Sequence, residues 1–202
     1  MDFSDISQLP TALQAVVTLR QLSNEQMLFN RNETAQAVYA VKSGRVRLIH
    51  YTHSGQSISH YVVGPGEVCA EVTLFLENYT CSAIAEGSTQ VLAFPKQAFL
   101  TALQQNSDFA MVFMEQVCHR LHGTKVILEL RSIRSARERV LHYLRITIPP
   151  EEKSIVLDQP LKNTAFDLGL SPEVLSRTLA QLVKESVISR QKRRITLLET
   201  LL

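Results

Sequence analysis

Short apolar runs separated by turn residues fill the N-terminal half of the chain. Between about Val38 and Phe94 these runs are β-branched or aromatic, with "AVYAVKSGRVRLIHY", "SISHYVVGPGE" and "TQVLAF" as examples. The separators are Ser43-Gly44, Ser54-Gly55, Gly64-Pro65-Gly66 and Glu86-Gly87-Ser88. Many short strands with glycine turns at this spacing are typical of a sandwich or barrel. We therefore expect a strand-rich domain over residues 1–108.

The pattern changes near Asp108, which we interpret as the N-cap of a long helix. No proline or cluster of turn residues follows until about Arg134, so one helix is predicted over residues 109–134. Its apolar positions alternate steps of four and three, which is typical of a two-stranded coiled coil. The predicted seam consists of Ala110, Met114, Val117, Leu121, Thr124, Leu128 and Arg131.

This seam predicts that the long helix pairs with a second copy of itself. The alternative is a long amphipathic helix that packs only within its own chain. A second apolar stripe on the same helix would pack on the chain's own domains, and it consists of Phe113, Ile127, Leu130 and Ile133.

A break around residues 132–135 precedes a third region. The segment "ARERVLHYLRI" predicts a helix, and "SIVL" predicts a short strand. Ala165, Gly169 and Leu175 then have the spacing of a helix-turn-helix. There, a small residue lets the helices approach, glycine allows a positive φ in the turn, and an apolar residue holds the second helix against the first. "VISRQKRRITLL" predicts two strands around a basic tip, so residues 135–202 are expected to form a winged helix-turn-helix.

The second helix of this motif, "SPEVLSRTLAQL", has two different faces. Ser171 can cap it, and Pro172 in the first turn loses no needed donor. The apolar face consists of Leu175, Leu179 and Leu182. The other face consists of Glu173, Ser176 and Arg177, and Ser171 joins them as a candidate DNA contact at the start of the helix.

The polar face has the chemistry of base recognition. Residues near the start of a recognition helix lie closest to the floor of the major groove. Arg177 can donate to guanine O6 and N7, Glu173 can accept from a cytosine amino group, and Ser176 can contact a base edge or a thymine methyl. The alternative is a surface Glu–Arg pair worth about 0.3–0.5 kcal/mol. That alternative explains neither the turn nor the wing.

Charge is distributed unevenly along the chain of 202 residues, whose formal net charge is +2. Residues 1–134 hold ten Lys and Arg against eleven Asp and Glu, and residues 135–202 hold eleven against eight. The most basic stretch consists of Arg190, Lys192, Arg193 and Arg194. No Lys or Arg occurs from Leu48 to Pro95. We expect the basic stretch to contact phosphates, which adds affinity without sequence choice, unless it is only a solvated charge run.

Several classes of protein are disfavoured. The chain has no signal-peptide pattern and no apolar run of about eighteen residues, so we expect a cytoplasmic protein without a membrane partner. Cys69, Cys81 and Cys118 form no CxxC pair, which excludes a four-cysteine cluster within one chain. There is no phosphate-binding glycine loop, GxSxG or HExxH, so an enzyme is not expected. Cys118 and His122 have a spacing that could bind metal, but too few ligands accompany them, and no metal site is predicted.

The order of a strand-rich module, a long helix and a winged helix-turn-helix resembles the CRP/FNR superfamily of bacterial transcription regulators. "SGRVRLIHYTHSGQSISHYVVGPGEV" resembles the middle of its β-roll, and "GEVCAEVTLF" resembles its ligand cassette. "SPEVLSRTLAQL" resembles its recognition helix in the Glu-x-x-Ser-Arg form of the FNR-like branch. The resemblance covers nearly the whole chain. It implies an α+β fold with an N-terminal antiparallel β-roll of the cyclic-nucleotide-binding, jelly-roll type, a dimerisation helix and a C-terminal winged helix-turn-helix.

The resemblance also implies a function. A homodimer would bind double-stranded DNA at a TTGA-like inverted repeat, read by Glu173, Ser176 and Arg177. Arg139 falls where the family has a phosphate-contacting arginine. An activator would additionally contact RNA polymerase. Control by a ligand would reorient the DNA-binding domains about a hinge at residues 132–135. Whether the protein activates or represses, and which genes it controls, stays open.

The effector is where the sequence departs from the family. In the cyclic-AMP-binding members a glutamate holds the ribose, and an arginine followed by a serine holds the cyclic phosphate. Glu71 and Ser82 match this set, but Cys81 replaces the arginine, and a thiol cannot supply a guanidinium fork. Arg120 and Thr124 of the long helix could reach the pocket, and Thr124 matches a family position that contacts adenine. The effector is thus unknown and expected to be uncharged or absent.

Two other functions remain as alternatives. One is a cyclic-nucleotide-responsive regulator, which the missing arginine disfavours. The other is a small-molecule-binding protein that does not bind DNA. Cys81 could act as a redox sensor, but a small buried hydrophobic residue is the favoured interpretation of this cysteine.

Overall fold

The chain divides into two units, residues 1–117 and residues 118–202, and the division falls inside the long helix. The structure is a computed structural model, and it describes residues 2–51, 57–149, 151–157 and 160–198. None of the helices in these described ranges is both long enough and apolar enough to cross a bilayer.

The first unit is built on a six-stranded antiparallel sheet. Its strands are β1 (Thr18–Leu22), β2 (Met27–Phe29), β3 (Ala37–Tyr51), β4 (Ser57–Val63), β5 (Val68–Cys69) and β6 (Ser82–Pro95). The central order is β1-β6-β3-β4, while β2 pairs with β6 and β5 pairs with β3. The helices of this unit are α1 (Thr11–Gln14) and α2 (Lys96–Gln105), with 3-10 turns at Ile6–Gln8 and Glu71–Leu74. The antiparallel sheet and its helices confirm the predicted α+β class.

Two of the predicted glycine turns are wrong. Ser43-Gly44 lies inside the 15-residue strand β3, and Glu86-Gly87-Ser88 lies inside the 14-residue strand β6. The register between these strands shifts on both sides of Ser43, so the glycines mark bulges rather than chain reversals. Gly64-Pro65-Gly66 does connect β4 to β5 as predicted, and Ser54-Gly55 lies outside the described residues.

The sheet of the first unit is packed on both faces, because side chains alternate along a strand. Tyr39 and Val41 of β3 belong to one buried cluster, whereas Val38 and Ala40 belong to another. The second cluster also contains the aromatic rings of Phe3, Phe99, Phe109 and Phe113. Phe113 is only 9% exposed, as its place in the second apolar stripe of the long helix predicts.

The long helix, α3, spans Ser107–Ser132. It begins two residues earlier than predicted, because Asp108 lies in its first turn and is not the capping residue. Asn106 takes that place: its side-chain oxygen accepts a hydrogen bond from the Phe109 N–H at 2.9 Å.

The second unit contains the predicted winged helix-turn-helix. After α3 come α4 (Ala136–Thr147), β7 (Ser154–Val156), α5 (Leu161–Asp167), α6 (Pro172–Lys184), β8 (Ile188–Gln191) and β9 (Arg194–Leu197). The three strands form an antiparallel sheet in the order β7-β9-β8. Apolar side chains from α3, α4, α5, α6 and the sheet share one core, which includes Leu130, Leu144, Ala165, Leu179 and Ile195.

Candidate nucleic-acid interface and effector pocket

The start of α6 is fixed by its capping residue. Ser171 has extended backbone angles, and its hydroxyl oxygen accepts a hydrogen bond from the Val174 N–H at 3.3 Å. Pro172 occupies the first turn, where its missing N–H leaves no gap in the helical hydrogen bonds. Both features agree with the sequence prediction. The N-terminal end of α6 therefore has a defined position on the surface of the second unit.

The two faces of α6 separate as its period predicts. Leu175, Leu179 and Leu182 are buried in the core of the second unit. Glu173, Ser176 and Arg177 are exposed, and they lie on the first two turns of the helix. The structure thus brings the three candidate base-reading side chains onto one exposed surface.

Glu173 is held in its charged form. Its pKa is lowered, first by a hydrogen bond from its own backbone N–H, then by the Ser171 hydroxyl, and also by the positive charge of Arg177. At neutral pH the carboxylate is therefore an acceptor only, which suits a cytosine amino group. The Ser171 hydroxyl thus contacts the Glu173 carboxylate in addition to capping α6. In this structure both contacts hold the start of the helix.

The turn before α6 has the geometry that its sequence predicts. Gly169 has a positive φ of 61°, and the Leu170 N–H donates to the Ala165 carbonyl at 2.9 Å. Ala165 itself is fully buried between the helices of the motif. A residue with a β-carbon at position 169 would be strained by this backbone conformation.

The wing is a tight hairpin with a basic tip. Gln191 pairs with Arg194, so Lys192 and Arg193 form the connection between β8 and β9. Lys192 has a positive φ of 53°. The Arg190 guanidinium donates to the Lys192 carbonyl at 3.2 Å, and that of Arg194 donates to the Ser154 hydroxyl at 3.0 Å. These four cations are all exposed, and two of them are held close to the hairpin by these bonds.

Arg139 has a structural environment that its sequence position did not indicate. Its guanidinium donates to the Ile133 carbonyl at 2.9 and 2.6 Å, and to the carbonyls of Leu168 and Gly169 at 2.7 and 3.3 Å. Four of its five N–H donors can be used in this way. The phosphate contact that the resemblance implies would require Arg139 to leave these carbonyls, and it stays a prediction.

Sequence reasoning also missed an ion pair that holds the far end of α6. Arg137 of α4 lies 2.8 Å from the Glu185 carboxylate, which also accepts from the Gln181 side chain at 2.8 Å. The hydrogen bond from Arg137 is the first cause of the lowered pKa of Glu185. The two residues are separated by 48 positions, so no local pattern could have revealed the pair.

The predicted seam of α3 is exposed in the single chain. Large apolar side chains on that line include Leu121, which is 54% exposed, and Leu128, which is 70% exposed, and Met114 and Val117 are exposed as well. Thr124 is exposed too, and its hydroxyl donates to the Arg120 carbonyl at 2.9 Å. Arg131 departs from the predicted seam, because its guanidinium donates to carbonyls at the end of α5.

The candidate effector residues of the first unit lie close together. Glu71 begins the 3-10 turn after β5, and Cys81 and Ser82 lie where β6 begins. Cys81 is 8% exposed. Its pKa is raised, first by burial and then by the negative charge of Glu71. Cys81 is therefore a neutral thiol, which disfavours the redox-sensor hypothesis, because the thiolate is the reactive form.

The structure brings a residue to this site that the sequence did not suggest. The backbone N–H of Arg31, in the connection between β2 and β3, donates to the buried Ser82 hydroxyl at 3.0 Å. The Arg31 side chain is exposed. Arg31 lies 51 positions before Ser82, outside the cassette, so the cassette pattern does not include it.

The cassette fits a cyclic phosphate poorly. The position of the family's arginine holds the neutral thiol of Cys81, and the Ser82 hydroxyl already accepts a hydrogen bond from protein backbone. Glu71 contributes a negative charge beside them. A dianionic or monoanionic phosphate needs charged donors at this place.

The potential metal ligands of α3 lie on its surface. Cys118 and His122 are both exposed. Within the described part of the chain, no three His, Cys, Asp or Glu side chains are arranged to hold a metal ion.

The chain is similar to known regulators over most of its length. Residues 19–106 match the cyclic nucleotide-binding domain. A cyclic AMP receptor protein from Thermus thermophilus is 29% identical over 162 residues, covering 80% of this chain and 74% of the relative. A global nitrogen regulator from Nostoc is 24% identical and covers 83% of this chain and 82% of the relative. The structure of FixK2 from Bradyrhizobium japonicum superposes with a TM-score of 0.65 at 21% identity, covering 91% of this chain and 93% of the other.

The fold and these similarities define the class of protein. It combines a cyclic nucleotide-binding-type domain with a winged helix-turn-helix. These similarities agree with the resemblance to the CRP/FNR superfamily that the sequence motifs show. The similar proteins are regulators, which supports the expectation of a transcription regulator.

Proposed function

We propose that the protein is a homodimeric transcription regulator that binds a TTGA-like inverted repeat through α6. The observation that carries the proposal is the exposure of Glu173, Ser176 and Arg177 on the first turns of a helix whose opposite side is buried. The N-terminal turns of a recognition helix are the part that reaches base edges. Such a regulator would act on DNA in the cytoplasm.

The basic wing supports the same proposal, because it would add affinity for DNA. Arg190, Lys192, Arg193 and Arg194 form an exposed cluster beside the helix-turn-helix. Cations of this kind contact phosphates and set the register of a protein on the duplex, whereas base contacts select the sequence. The two groups of residues are thus expected to contribute differently to binding.

The exposed line on α3 supports a dimer. Leu121 and Leu128 are large, apolar and exposed in the single chain, and they recur with the period of a coiled-coil seam. A twofold dimer would place two recognition helices about 34 Å apart, which matches half-sites one DNA turn apart. RNA polymerase would be a further partner if the protein activates transcription.

The test compares Arg177→Ala with Arg193→Ala on a matched operator and a scrambled duplex. Arg177→Ala is expected to lose about 1–3 kcal/mol of discrimination at one guanine, because a bidentate base contact disappears. Arg193→Ala is expected to weaken binding to both duplexes alike and to lower the dependence of log K on log salt. Fluorescence anisotropy titrations over a range of salt concentrations measure both effects.

Arg145→Ala is the matched control, because Arg145 is an exposed arginine of α4 outside the proposed interface. It is expected to leave the ratio of operator to scrambled affinity unchanged. If Arg177→Ala weakened both duplexes equally, α6 would not be the reading element.

We further propose that the effector, if there is one, is uncharged. The neutral Cys81 thiol and the Glu71 carboxylate suit a ligand that donates hydrogen bonds and carries no phosphate. One observation favours a second candidate, a cyclic-nucleotide-responsive regulator: Arg31 lies beside Ser82 and could supply a cation. Calorimetric titration with cyclic AMP separates them, since the uncharged-effector proposal expects no binding heat.

A further inference from the structure

Two arginines meet at the turn that precedes α6, and both lie in the second unit. Arg131 is in the last turn of α3, and its guanidinium donates to the Phe166 carbonyl at 2.8 Å and to the Asp167 carbonyl at 3.0 Å. Arg139 is in the first turns of α4, and its guanidinium donates to the Leu168 and Gly169 carbonyls. Two side chains therefore engage four consecutive carbonyls.

The four carbonyls form the C-terminal end of α5 and the turn after it, where the helix dipole places a partial negative charge. The Phe166 carbonyl also accepts from the Gly169 N–H at 2.9 Å, and the guanidiniums bring charged donors to all four carbonyls. A guanidinium satisfies two neighbouring acceptors at once and keeps its charge at any working pH. The Arg131 guanidinium also lies over the Phe166 ring, 5.5 Å from its centroid, which further fixes its orientation.

The same two arginines bridge the break between α3 and α4. Arg131 precedes the break and Arg139 follows it, and Arg139 also donates twice to the Ile133 carbonyl within the break. A rotation at residues 132–135 would separate the two guanidiniums unless the α5–α6 turn moved with them. In this conformation the break is therefore restrained, although the family resemblance implies a hinge there.

The bridged turn leads directly into the recognition helix. Gly169 is two residues before Ser171, the N-cap of α6. The side chains proposed to read bases lie on the next two turns, and groups of this kind lose function when their supporting contacts allow shifts of about 1 Å.

We propose that Arg131 and Arg139 form an arginine clamp that positions the start of α6 for operator recognition. The clamp ties the end of the long helix to the turn before the recognition helix, so it acts through α6 and does not contact DNA itself. This inference rests on the proposed function, and it assigns Arg139 a role other than a phosphate contact.

The decisive variant is Arg139→Lys, which keeps the charge but cannot engage two carbonyls and Ile133 with a planar fork. We expect operator affinity to fall about tenfold or more, in line with loss of hydrogen bonds to a charged group. Affinity for a scrambled duplex and the salt slope are expected to stay unchanged. Arg145→Lys is the control, because it makes the same replacement at an exposed position of α4.

The alternative roles of Arg139, a phosphate contact or a purely structural residue, predict different results. Loss of a phosphate contact in Arg139→Ala would lower the salt slope by about 0.9 per contact and weaken both duplexes. That result would overturn the clamp. An unchanged ratio of operator to scrambled affinity in Arg139→Lys, with only a lower melting temperature, would reduce Arg139 to a structural residue and would also overturn it. If Arg139→Lys fails to fold, Arg131→Lys is tested in the same way, since it removes only one side of the clamp.

A measurement without DNA separates failure of the clamp from failure of the proposed function. We expect amide hydrogen exchange in Arg139→Lys to accelerate about tenfold at residues 168–170, where the turn is freed, and to be unchanged in β3. Normal exchange at 168–170 would contradict the clamp whether or not the protein binds an operator. Absence of operator binding by the unaltered protein, with faster exchange in the variant, would instead contradict only the proposed function.

Discussion

At the scale of single residues, surroundings decide which reactive groups can take part in chemistry. Cys81 and Cys118 are both free cysteines, but Cys81 is buried and Cys118 is exposed. The pKa of Cys81 lies above its ordinary value of 9.0, because burial and the charge of Glu71 both disfavour the thiolate. Its position in the cassette therefore does not make it a redox sensor.

The raised pKa of Cys81 predicts how the reactivity of this thiol changes with pH. A raised pKa means that the thiolate fraction keeps increasing with pH beyond the ordinary pKa of 9.0. We expect alkylation of Cys81, measured by mass spectrometry in a Cys69→Ser, Cys118→Ser variant, to be slow at neutral pH and to accelerate steadily as the pH rises. A rate that levels off near neutral pH would show a lowered pKa and would revive the redox-sensor hypothesis.

Residues on one helical face could be predicted from sequence, whereas residues held by distant partners could not. The period of α6 alone separated Leu175 and Leu179 from Arg177, and the structure has the same separation. Arg139 bonds to carbonyls 29 and 30 positions away, so its surroundings depend on how α4 packs on the turn. These contacts could not be predicted from the position of Arg139 in the sequence.

At the scale of elements, the two long strands of the first unit show what a glycine pattern can and cannot specify. Gly44 and Gly87 both have positive φ, at 78° and 73°, and both lie inside strands. A positive φ is needed in turns and in bulges alike, so the sequence could not distinguish the two. The pairing of β3 with β6 is what makes these two positions bulges rather than turns.

The bulges predict a difference between two alanine substitutions. A β-carbon at Gly44 would lie 2.5 Å from Thr89 Oγ1 and 2.6 Å from the Ser88 carbonyl, whereas one at Gly87 would have no neighbour within 4 Å among the described residues. Gly87→Ala should lose about 1–2 kcal/mol for its backbone conformation alone. Gly44→Ala adds a clash to this and should lose about 1 kcal/mol or more beyond it.

Urea unfolding followed by circular dichroism measures the two losses. Gly87→Ala serves as the control for the cost of the backbone conformation. Any additional loss of stability in Gly44→Ala therefore reports the close approach of β6. Equal losses for the two variants would show that Thr89 and Ser88 can move away without strain.

At the scale of the whole molecule, the order of modules was readable from sequence and the effector was not. The proposed seam of α3 was inferred from spacing within one helix, and the helix-turn-helix was predicted from the spacing of Ala165, Gly169 and Leu175. The candidate effector site includes Arg31, Glu71 and Ser82, which the fold of the first unit collects from separate segments. The sequence thus predicted the features that lie within one helix or one helix-turn-helix. It did not predict the candidate effector site, which is assembled from separate segments.

The proposed dimer predicts the effect of charge on the α3 seam. Leu121→Glu and Leu128→Glu should each weaken dimerisation by about 3–6 kcal/mol, because two leucines per dimer lose burial worth about 1.5–3 kcal/mol each. Sedimentation velocity at micromolar concentration should show monomers for both. Leu19→Glu is the control, since Leu19 is 52% exposed and belongs to β1 rather than to α3. Dimers that tolerate both seam variants would place the interface elsewhere.

The central claim is that a dimer of this chain selects a DNA sequence through α6. The most direct test is titration of the purified protein against a TTGA inverted repeat and a scrambled duplex of equal length at one physiological salt concentration. We predict one dimer per inverted repeat and an affinity about 10³-fold or more above that for the scrambled duplex. Equal affinity for the two duplexes, or a monomer bound to each, would contradict it.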